Sequence, residues 1–106
     1  MDIPIRMTYA TAAVLRALEA GYRYGFDIAD VTGLRRGSVY PVLRRLEKAG
    51  LASAEWEEGA IAHEQGRPPR RYYRLTEFAV EIVAEAGRRF PVLVDGIAPA
   101  RGRTTA

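Results

Sequence analysis

Apolar residues along this chain recur first with helical and then with strand periodicity. Between Thr8 and Ala20, the positions Ala12, Val14, Leu15 and Leu18 follow a helical spacing, with Thr8 placed to cap the start and Gly21 to end it. Tyr24, Ile28 and Val31 predict a second, shorter helix from about Gly25 to Thr32, stopped by Gly33. A third helix is expected to start from Ser38 as N-cap and to run to Ala49, with Gly50 as its terminator. Pro41 then falls in the first turn, where the missing N–H leaves no hydrogen bond unmade. At about 100° per residue, Val39, Val42, Leu43 and Leu46 share one arc, which is a core-facing stripe. The opposite side carries Ser38, Tyr40, Pro41, Arg44, Arg45 and Lys48.

After Gly50 the period shortens to two. Leu51 to Glu57, which includes Trp56, and Arg70 to Leu75 both read as strands. Glu58 to Pro69 holds two glycines and two prolines, predicting a hairpin with a long, mobile tip. Thr76 is placed to cap a last helix from Glu77 to about Phe90, ended by Pro91. Its apolar residues spread over roughly 240° of the helix, far wider than the stripe needed to pack on one domain. A second subunit is the expected cover, and a twofold dimer predicts a pseudo-palindromic DNA site. The expected organisation is a head over residues 8–76, a dimerisation helix over 77–97 and a disordered tail over 98–106.

Composition narrows the class without naming a function. A chain of 106 residues supports one compact core. Its 48% hydrophobic and 27% charged residues are ordinary for a globular protein. The absence of cysteine rules out disulfides and thiolate metal sites, and fits a reducing, cytoplasmic setting. The first residues lack the layout of a secretory signal, and no apolar run approaches a membrane span, so neither export nor insertion is expected.

The net charge of +3 is modest, but its distribution is uneven. The segments Arg35–Gly50 and Arg67–Arg74 together carry +8, which leaves −5 on the rest of the chain. One basic face is the economical explanation. Catalytic chemistry finds little support. His63 is the only histidine, so no metal site or catalytic triad can be completed and the ring is expected to be solvated. Glu55, Glu57, Glu58 and Glu64 lie on an exposed hairpin, without the enclosure that acid–base catalysis needs. No enzyme activity, cofactor or metal is expected.

Helix, short helix, glycine turn, basic amphipathic helix and basic hairpin together form the layout of a winged helix-turn-helix, mainly α with a small β-hairpin. In such a head the third helix enters the major groove of double-stranded DNA, and donors on its outer side reach base edges. Ser38, Tyr40, Pro41, Arg44, Arg45 and Lys48 are the candidates for that helix, while Arg67, Arg70 and Arg71 are expected to meet phosphate from the wing. Competing readings exist for the same residues. The arginines could form an ordinary solvated face, Tyr40 could pack at the helix edge, and Trp56, Tyr72 and Tyr73 read as strand-packing aromatics first. A protein-interaction module or a sequence-neutral chromosome-coating protein would use similar surfaces.

The segments Tyr24-Gly25-Phe26-Asp27-Ile28, Gly37 through Glu47 to Gly50-Leu51, and Gly66-Arg67-Pro68 through Arg71-Tyr72-Tyr73-Arg74-Leu75-Thr76 closely resemble the PadR family of transcriptional regulators. The resemblance covers roughly Thr8 to Phe90. It implies a homodimer, usually a repressor, that dimerises through the C-terminal helix with help from the first. Leu15, Leu18, Phe78, Ile82, Val83, Ala86 and Phe90 are the expected dimerisation residues, and a small-molecule effector is the expected trigger. The family commonly has a glycine shortly after the Leu-Thr pair, where this chain has Ala79.

Overall fold

The computed structural model describes residues 5–100. Helix α1 (Tyr9–Glu19) starts where expected, with the Thr8 hydroxyl oxygen accepting the Thr11 N–H at 3.1 Å. Its small residues let other elements approach closely. Ala12, Ala13, Val14, Leu15 and Ala17 are fully enclosed, and α2 (Gly25–Thr32) and α3 (Arg36–Lys48) both pack on it. Gly21 and Gly50 end α1 and α3 with positive φ. At both ends the residue after the glycine donates back five residues, Tyr22 N–H to Ala17 O and Leu51 N–H to Leu46 O, which satisfies carbonyls that the helix leaves open.

Helix α3 begins three residues earlier than the capping rule predicts, with Arg35 rather than Ser38 at its N-cap. Hydrogen bonding starts at Arg35, whose carbonyl accepts from Ser38 and Val39, so Ser38 lies inside the first turn and caps nothing. Pro41 is therefore the sixth residue of the helix, and the Gly37 carbonyl loses its donor from position i+4. Gly37 is exposed, so water can supply the missing partner.

Strands β1 (Ala52–Trp56) and β2 (Arg71–Leu75) pair antiparallel, from Ala52 opposite Leu75 to Trp56 opposite Arg71. The predicted mobile tip between them instead contains a helix, α4 (Gly59–Glu64). Ala62 on this helix is fully buried, and Gly66 closes it with the same glycine motif, Arg67 N–H donating to Ala62 O. Thr76 precedes a short 3₁₀ turn (Glu77–Ala79) rather than an α-helical first turn, and its hydroxyl donates to Gly50 O at 2.7 Å instead of capping. Ala79, the residue at the family's glycine position, is buried in the core.

Helix α5 (Val80–Arg89) packs across α1 and divides its wide apolar arc into two halves. Ile82 and Ala86 face inward and are buried, Val83 and Phe90 are half-buried, and Phe78, Val80 and Ala84 face out. Pro91 ends α5, as the preceding Phe90 leaves the helical region. The chain then forms α6 (Val92–Gly96), which folds back on α1 and buries Leu93 and Ile97. Arg16 of α1 donates to the carbonyls of Leu93 at 3.2 Å and Val94 at 2.8 Å, tying down this short helix. Beyond it, the Tyr22 hydroxyl donates to Ala98 O and the Ala100 N–H to Ala20 O. The remainder of the expected tail, residues 101–106, lies outside the described residues.

This packing changes the expectation for the dimer face. Leu15, Leu18, Ile82 and Ala86 belong to the protomer's own core, because α2, α3, α5 and α6 surround α1. Along the C-terminal helices, the apolar residues left open include Phe78, which is 73% exposed, with Val80, Ala84, Val92 and Val94.

Candidate nucleic-acid interface

The core stripe of α3 is buried as its periodicity predicts, which turns the other side of the helix outward. Ser38, Tyr40, Arg44, Arg45 and Lys48 are exposed there, and Pro41 is half-buried. Among the described residues, Arg44, Arg45 and Lys48 have no ion-pair or hydrogen-bond partner. Arg45 and Lys48 also lie in the last turn, where cations complement the partial negative charge of the helix end.

Tyr40 packs on the neighbouring helix and is still 38% exposed. Its ring lies against Gly25 at the start of α2, so closely that a Cβ there would stand 2.3 Å from Cε1 and 2.6 Å from Cζ. Only glycine allows α2 and α3 to meet in this way. The two readings of Tyr40 are thus compatible, since the ring packs on α2 and its edge stays accessible.

Arg35 and Arg36 were not among the sequence-derived contact residues, although both are exposed at the start of α3. The Ser38 capping rule had placed the helix start beyond them. Arg36 stacks over the half-exposed ring of Phe26, 4.3 Å from its centroid. No side chain caps this helix start, so its first N–H groups remain open to an anion.

The wing arginines are placed differently. Arg67 is turned inward, donating from Nη1 at 2.5 Å and Nη2 at 2.8 Å to the two oxygens of Glu57. The pair is well enclosed, with side chains 20% and 7% exposed respectively. Glu57 also accepts from the Arg70 N–H and the Tyr72 hydroxyl, each at 3.2 Å. The Arg67 hydrogen bonds hold the Glu57 carboxyl far below its ordinary value of 4.5, at about 2; burial opposes this, and the Arg70 and Tyr72 bonds add to the lowering. The expectation that Arg67 meets phosphate is therefore corrected. Its guanidinium is already engaged by a better-placed carboxylate, and it serves to close the base of the wing.

Arg70 and Arg71 lie on opposite faces of the hairpin, as strand alternation requires. Arg70 stacks over Tyr24 at 4.4 Å, and Tyr24 meets Tyr72 edge-to-face at 5.8 Å. Arg71 turns toward α3, pairing with Glu47 at 2.9 Å and stacking over Trp56 at 5.1 Å. Of the three predicted wing contacts, only Arg71 is brought beside the third helix.

A helix-turn-helix whose third helix presents free cations beside a two-stranded wing defines a winged-helix, DNA-binding class of protein. The sequence model of the transcriptional regulator PadR-like family matches residues 14–79. The chain belongs to that family of DNA-binding transcription regulators, whose members are transcription factors rather than enzymes. Among solved structures, a PadR family transcription regulator from Clostridium difficile R20291 is 21% identical, with a TM-score of 0.66 over 81% of this chain and 91% of that one. A PadR-like transcription factor from bacteroid fragilis is 27% identical, with a TM-score of 0.53 over 76% of this chain and 81% of that one. No curated protein matches significantly. Among the described residues, no helix is long and apolar enough to cross a membrane.

Proposed function

We propose that the chain is a dimeric, ligand-responsive repressor that inserts α3 into the major groove of a pseudo-palindromic operator. The observation that carries this reading is the set of unpartnered cations on the outer side of α3. Arg67, Arg71, Arg74, Arg88 and Arg89 each have a carboxylate partner, whereas Arg44, Arg45 and Lys48 have none among the described residues. Arginine can pair bidentately with guanine O6 and N7, which makes Arg44 and Arg45 base readers, with Ser38, Tyr40 and Pro41 beside them. Lys48, Arg70 and Arg71 meet the backbone, and the open N-terminus of α3 with Arg35 and Arg36 receives a phosphate.

Dimerisation through Phe78, Val83 and Phe90 is extended by Val80, Ala84, Val92 and Val94. These residues make an apolar patch that a second copy would cover. Repression and a response to an effector follow the PadR resemblance. Gel-shift titration against the upstream region of its own gene is the test, with random DNA as competitor. A retarded complex that resists random DNA is expected, and no retarded band at low salt would reject the reading.

A further inference from the structure

The wing borders a cleft that shares only Arg70 with the proposed DNA contacts. Its volume is about 760 Å³, within the roughly 300–1,000 Å³ range of small-molecule sites. The floor is the outer face of the hairpin, with Ser53 and Tyr72, and one wall is the Gly21–Tyr24 link between α1 and α2. Helix α4 supplies the other wall through Ile61, and the Glu57–Arg67 pair anchors the wing segment that carries it. A single backbone hydrogen bond, Tyr73 N–H to Arg23 O at 2.6 Å, joins that link to β2.

The lining specifies a ligand type. Tyr22, Tyr24 and Tyr72 all border the cleft. The Tyr22 hydroxyl is tied to Ala98 O and the Tyr72 hydroxyl to Glu57, which leaves the rings as the main recognition surface. Tyr24 and Tyr72 meet at 90°, so a flat ring stacked on one presents an edge to the other, both favourable aromatic geometries. The charges balance. Arg23, Arg67, Arg70 and Arg74 border the cleft, and so do Asp27, Glu55, Glu57 and Glu58.

We infer that this cleft is the effector site of the regulator, and that it takes a net-neutral compound with a planar ring system. The inference rests on the proposed ligand-responsive repressor and places its effector within one protomer rather than at the dimer face. An occupant wedges α4 away from the α1–α2 link. Because β2 also carries Arg71, which pairs with Glu47 of α3, the displacement reaches the recognition helix.

Three naphthalene probes of similar shape test the assignment: 2-naphthalenemethanol, 2-naphthoate and 2-naphthylmethylamine. Amide NMR shifts on titration should cluster at Tyr22–Tyr24, Ile61 and Tyr72, with the neutral alcohol binding tightest. Ser53→Trp fills the cleft from an exposed strand position and should abolish those shifts while leaving DNA affinity without probe unchanged. Ile61→Ala should weaken the alcohol by about fivefold. Shifts elsewhere or none at all, equal or tighter binding of a charged probe, or full binding to both variants would overturn the site. Saturating alcohol should weaken operator binding by roughly fivefold or more, and unchanged affinity would overturn its role as effector site. Failure to bind any DNA would instead count against the proposed repressor, with the NMR outcome still deciding the cleft.

Discussion

The arginines of α3 and those of the wing carry the same charge in opposite surroundings. Arg44 and Arg45 extend from a helix whose other face is locked into the core, and no carboxylate lies within reach of them among the described residues. Arg67 is the opposite case, held in a fork by Glu57 and largely withdrawn from solvent. A free guanidinium exchanges water for a phosphate or a base edge, whereas a paired one must first give up its carboxylate. A count of basic residues therefore overstates the wing, while a helix start placed at Ser38 leaves out Arg35 and Arg36, which stand exposed at the true start of α3.

The largest expected effect tests the free side of this contrast. Arg44→Ala should lower operator affinity by about 1–3 kcal/mol with the melting temperature unchanged, as read by anisotropy titration and thermal unfolding. Equal losses on operator and random DNA would reassign Arg44 to the backbone. Gly25→Ala places a methyl group inside the Tyr40 ring and should destabilise the fold by about 1–3 kcal/mol in urea unfolding. A wild-type urea midpoint for that variant would show that Tyr40 has another place to go.

Arg67→Ala addresses the paired side and should give the reverse of Arg44→Ala. It should lower the melting temperature and leave the salt dependence of DNA binding intact, and a flattened salt slope would return Arg67 to the phosphate contacts. The same pair has a pH signature. Because the Glu57 carboxyl is depressed in the folded state, its stabilisation is complete above its ordinary value of 4.5 and is lost as pH falls toward about 2. The acid unfolding midpoint should therefore move to higher pH in Glu57→Gln, and an unmoved midpoint would remove Glu57 from the account. Arg71→Ala is expected to have the smallest effect, a reduction of the salt slope by about one, because its ion pair with Glu47 already offsets part of its charge.

Where a signal is local, it could be read in advance. Thr8, Gly21, Gly33 and Gly50 mark helix ends because a hydroxyl acceptor and a left-handed residue act within a few positions of themselves. The stripe Val39, Val42, Leu43 and Leu46 fixed the outward face of α3, and with it the candidates Tyr40, Arg44, Arg45 and Lys48. The start of α3 was misjudged because Ser38 satisfies the capping preference in isolation, yet the Arg35 carbonyl already accepts the first bonds. Helix α4 was missed for a related reason. Six residues flanked by glycine and proline form a poor helix in isolation, and it persists because Ala62 is buried and Gly66 closes its end.

Periodicity and end signals in the chain are enough to establish a winged helix-turn-helix with an outward basic third helix, because both act over a few residues. Which arginines are free, which leucines are left for a partner and whether the wing borders a cleft depend on residues far apart in sequence. Glu57 meets Arg67 across a helix, Arg16 reaches α6 from α1, and Leu15 and Leu18 are covered by elements that follow them in the chain. Ion pairing and burial are set by distances in space, and those exist only once the chain has folded.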